Sequence, residues 1–176
     1  MTAQRQERNG PLGLTGFRRR IAVIPLWAGL VWASLAAPVL PAEAATTERV
    51  VANRFTGLAI EGFDPVAYFV EARALVGEGN FEASEAGVVW RFRNEGNRAS
   101  FLAHPEIYGP RFGGYDPTDL ARGVTVAGNP RFWLVSGQRL YLFSREQNRD
   151  AFAANPPHFL QEANQRWPAL QQELAQ

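Results

Sequence analysis

The chain repeats itself. Val88–Tyr108 (VVWRFRNEGNRASFLAHPEIY) lies over Arg139–Phe159 (RLYLFSREQNRDAFAANPPHF) at an offset of 51 without a gap. Seven of the 21 positions are identical: Phe92/Phe143, Glu95/Glu146, Asn97/Asn148, Arg98/Arg149, Phe101/Phe152, Ala103/Ala154 and Pro105/Pro156. Upstream, Gly62-Phe63-Asp64-Pro65 lies over Gly114-Tyr115-Asp116-Pro117 at an offset of 52. Two separate matches at nearly one offset predict two copies of one structural unit, over about 62–110 and 114–160. At 176 residues the expectation is one domain, or two small units sharing a core.

Each copy carries the same local signals. Asp-Pro opens it, with aspartate suited to cap a helix and proline suited to the first helical position. A short helix or turn is expected over Pro65–Val70 and again over Pro117–Arg122, the latter stopped by Gly123. Two short strands follow, Asn80–Ala83 and Val88–Arg93 turning at 85–87, then Phe132–Val135 and Arg139–Phe143 turning at 136–138. A helix closes each copy. Asn94 is the expected cap of the first, Ser144 with Gln147 a capping box for the second, and Pro105 and Pro156 mark their ends. Phe101/Leu102 and Phe152/Ala153 are their expected buried stripes. Phe159, Leu160, Ala163 and Trp167 recur at helical spacing in a C-terminal helix, with Pro168 expected to kink or restart it. The fold class read from this order is α+β, two tandem helix–hairpin–helix copies on one core plus a C-terminal helix.

The first 44 residues read differently. Arg18-Arg19-Arg20 precedes an apolar run from Ile21 to Leu40, and Ala42-Glu43-Ala44 follows. Basic flank, apolar run and A-x-A site form a secretory signal, and the arginine pair suggests the twin-arginine route. The alternative is a retained membrane anchor, because about 20 apolar residues can span a bilayer. Cleavage after Ala44 leaves a periplasmic or secreted domain, with 45–57 as linker, 58–170 as the domain and 171–176 as tail. There is no cysteine in the chain, which removes disulfides, thiol catalysis, zinc–thiolate sites and iron–sulfur clusters. A formal net charge of +1 argues against a nucleic-acid partner.

GFDPVAYF (62–69), Trp90-Arg91-Phe92, NRASFLAHPEIYGPRFGGYDP (97–117), Arg139–Phe143 and Trp167-Pro168-Ala169-Leu170 together resemble the exported branch of the YHS-domain family. The similarity covers about 58–170 and is greatest to the subset whose central motif is GGYDP. The resemblance implies the fold and an association with metal handling, which in the wider family often uses a cysteine after GGY and a histidine in the preceding helix. Those positions here are Asp116 and Asn97, so the resemblance carries the fold and not the soft-metal ligands.

The residue inventory agrees with that. The only methionine is Met1, and soft ions want thiolate or thioether ligands. His104 and His158 occupy different places in the two copies and are not a repeated ligand pair. A harder metal would have to use Asp64, His104 and Asp116, the alternative site. Asp64 and Asp116 are equivalent positions that a pseudo-twofold could bring together as an acid–base pair; the favoured reading is two helix caps, because Asp-Pro is the expected cap pair. There is no G-x-S-x-G and, in a chain without lysine, no phosphate-binding loop lysine. The inter-copy junction offers a candidate binding surface: Tyr108, Arg111, Phe112, Tyr115 and Asp116 with Tyr68 from the first helix, since aromatics and arginine are favoured at binding sites. The expected function is a non-catalytic exported binding or accessory module with no resident cofactor, a small-molecule or protein partner, and membrane contact only through a retained leader.

Overall fold

Twice along the chain a 3₁₀ turn leads into a one-turn helix, a two-stranded antiparallel hairpin and a nine-residue helix. The computed structural model describes residues 49–174; the leader and its anchor alternative lie outside the described residues. The first copy runs through a turn at Ile60–Gly62, then α1 (Ala67–Val70), β1 (Glu78–Glu85), β2 (Val88–Phe92), α2 (Glu95–Ala103) and α3 (Pro105–Tyr108). The second runs through a turn at Arg111–Gly114, then α4 (Pro117–Leu120), β3 (Asn129–Ser136), β4 (Arg139–Phe143), α5 (Glu146–Ala154) and α6 (Pro156–Glu173). The fold is α+β, and the copies differ in order only in the length of the last helix.

The repeat extends to irregular detail. Glu78 pairs with Phe92 and Glu82 with Arg91; Asn129 pairs with Phe143 and Trp133 with Leu142. Each hairpin therefore takes four steps on its first strand against one on its second, the same wide bulge. The two-residue hairpin loops, Ala86-Gly87 and Gly137-Gln138, all have positive φ, as the turn that matches strand twist requires. Before each Asp-Pro the backbone turns left-handed through three residues, Ile60-Glu61-Gly62 and Phe112-Gly113-Gly114. At Gly113 an added Cβ would overlap the Arg49 carbonyl, so glycine lets the chain entering the fold pack directly on the turn.

The cores form because each hairpin puts alternate aromatics against its own helix. Trp90 and Phe92 meet Phe101 at 4.8 and 5.3 Å between ring centroids; Tyr141 and Phe143 meet Phe152 at 5.0 and 5.3 Å. The opposite face of β4, Leu140 and Leu142, packs into the first copy's core with Ile60, Phe63 and Tyr68. The second copy's core is closed instead by α6, whose Ala163, Trp167 and Leu170 cover Phe112, Tyr115 and Leu120.

Several expectations are corrected. Leu102 and Ala153 are exposed: neighbours one residue apart point about 100° apart on a helix, so only Phe101 and Phe152 reach the core. Ser144 does not cap α5. The cap position is Arg145, without a side-chain bond, and Ser144 closes β4 one residue earlier. Asn94 does cap α2, accepting from the Asn97 N–H at 2.8 Å. Helix α6 continues through Pro168 to Glu173, taking in the start of the expected tail. The described part of the expected linker is built into the fold: Val50 and Val51 pack on the two cores and Ala52 bridges to Ala59.

Candidate functional site

Two kinds of site residue emerge, and the fold keeps them apart. The first is the Asp-Pro aspartate. Asp64 is fully buried; its Oδ1 accepts from the Val66 and Ala67 N–H groups at 2.8 and 3.3 Å, and its Oδ2 from the Arg93 N–H at 2.8 Å and Asn97 Nδ2 at 2.6 Å. Asp116 repeats this. Oδ1 accepts from the Thr118 and Asp119 N–H groups, and Oδ2 from the Ser144 N–H at 2.7 Å and Asn148 Nδ2 at 2.6 Å. One carboxylate thus ties the opening turn, the end of the hairpin and the closing helix of its own copy. Asn97 and Asn148, identical in the alignment, are its side-chain partners.

Around Asp116 the second copy carries a different set of polar groups from the first. Asp119 replaces Ala67, Ser144 replaces Arg93, and Arg122 and Arg145 replace Val70 and Asn94. The Ser144 hydroxyl lies 2.9 Å from both Asp116 Oδ2 and Asp119 Oδ2, and Asn148 Nδ2 lies 3.0 Å from Asp119 Oδ2. Asp119 Oδ1 also pairs with Arg122 and, at 3.7 Å, with Arg145. Burial raises the Asp119 pKa, but hydrogen bonds from Ser144 and Arg122, with the Arg122 charge, outweigh it and hold the carboxyl below its ordinary value. Among the described residues, no buried side-chain nitrogen or oxygen is left without a partner.

These contacts decide what the aspartates can do chemically. Asp64 and Asp116 take their partners from separate copies and do not form a pair. His104 is exposed and its Nδ1 lies 3.4 Å from Glu106 Oε1, joined to neither aspartate. Asp64, His104 and Asp116 are therefore not brought together, and among the described residues no group of three or more histidines and acids converges. Each Asp116 oxygen already receives N–H or O–H donors, which a cation would have to displace. The donor set does not fit a metal.

The second site is a cleft of about 420 Å³ at the junction of the copies. Its rings are Trp90 and Phe101 from the first copy and Phe112 and Trp167 from the second. Arg111 is held there by Asn164 Oδ1 at 3.1 Å and by the face of Phe112, 5.2 Å from the ring centroid. Arg49 and Glu85 stand at the cleft on the entering segment and on the β1–β2 turn.

Of the residues singled out in the sequence, Arg111 and Phe112 line this cleft. The others lie elsewhere. Tyr115 packs on Trp167 from the core side, with centroids 5.9 Å apart. Tyr108 meets the edge of Phe69. Tyr68 is buried between the copies, donating its hydroxyl to the Pro130 carbonyl at 2.9 Å and packing on Trp133. Burial, then the Asp64 and Glu61 charges, raise its pKa, so it serves as a neutral strut. Sequence reasoning missed Trp90 and Trp167 as cleft walls, because pairing across the junction leaves no trace in spacing. It also missed Ser144 and Asn148 as partners of Asp116; the Asn97/Asn148 identity was the available signal.

No family model, curated protein or solved structure matches the chain. Among the described residues, no helix is long and apolar enough to cross a membrane.

Proposed function

We propose that the chain is an exported, non-catalytic binding module of the YHS-like kind that has lost the family's soft-metal ligands and works through the junction cleft. The observation that carries this reading is the division of side chains. The buried carboxylates at the Asp-Pro positions are used up in holding each copy together, whereas Arg49, Arg111, Glu85, Glu106 and the half-buried Trp167, backed by three buried rings, line a cavity of small-molecule size. Trp167 offers the exposed ring surface, and Arg111, fixed by Asn164 and Phe112, is arranged before a ligand arrives.

The test has two arms. Elemental analysis of wild type and Asp116→Ala should give the same metal content, with the variant melting at lower temperature. A small-fragment screen followed by NMR should move the indole N–H signals of Trp90 and Trp167 and leave Trp133 in place. Near-stoichiometric metal lost in Asp116→Ala would overturn the reading, as would a screen in which no fragment moves either cleft indole.

A further inference from the structure

We draw no further inference here: the strongest candidate, the side-chain cluster of Asp116, Asp119, Ser144 and Asn148 where α4 meets α5, carries nothing, because its carboxylates take their donors from the same copy's own backbone and side chains and no second observation there points to a ligand.

Discussion

An aspartate that only capped a one-turn helix would contribute about 0.5–2 kcal/mol. Asp116 does more, because its second oxygen also satisfies the Ser144 N–H and the Asn148 amide inside the protein. Replacing it strands several buried donors, each costing about 1–3 kcal/mol. Asp116→Ala should therefore lose roughly 3–5 kcal/mol in denaturant unfolding, by that same reckoning, and Asp64→Ala a similar amount, since the Arg93 N–H and Asn97 amide stand in the equivalent places. A loss within the capping range for both would mean that the interior bonds contribute little. Asp119 separates the copies in their response to acid. Its carboxyl is held below the ordinary range, so its contribution is complete above the unfolded value near pH 4 and disappears as pH falls through the folded value. Between about pH 5 and 3 the wild type should lose more stability than Asp119→Asn, although the variant starts lower at neutral pH. Parallel pH profiles would remove Asp119 from the account.

At the scale of elements the two hairpin–helix units are interchangeable where it matters for packing. Phe101 and Phe152 are both fully buried, and each receives two rings from its own hairpin at nearly equal distances. Phe101→Ala and Phe152→Ala should each cost about 3–5 kcal/mol, measured by chemical denaturation. This equivalence was legible in the sequence because the aromatic positions match and the Asp-Pro and helix-ending prolines recur at the same offset. The Asp–Asn bonds were not legible: identity of Asn97 with Asn148 says that the positions are equivalent, not what they touch 33 and 32 residues away. The capping box at Ser144 failed for a related reason. Local spacing offered its hydroxyl to α5, but the tertiary fold placed two carboxylates nearer. Leu102 and Ala153 were assigned inward by their aromatic neighbours, although the helix turns them away. The cleft was half legible, in Arg111 and Phe112, since its other walls come from β2 and the far end of α6.

For the whole molecule, the difference between the copies is what closes the structure. The first copy's core is covered by the outer face of the second hairpin, Leu140 and Leu142. Among the described residues no hairpin face covers the second core. Helix α6 takes that place: Ala163 is fully buried, Trp167 meets Phe112 and Tyr115, and Leu170 packs beside them. A covering element of this kind is apolar inward and polar outward. Gln161, Gln165, Arg166 and Glu173 on α6 are exposed accordingly. Neither copy then has a complete core alone, so wild type should unfold in a single transition seen alike by tryptophan fluorescence and circular dichroism. A chain stopped after Asn155 should lose cooperative unfolding and expose the apolar surface around Phe112, Tyr115 and Leu120, read out by binding of a hydrophobic dye. Trp167→Ala, a smaller cut in the same cover, should stay folded and lose less than the about 3–5 kcal/mol of a fully buried ring, because Trp167 is only half-buried. A truncated chain that still melts in one sharp transition at an unchanged midpoint would show that the second core needs no cap.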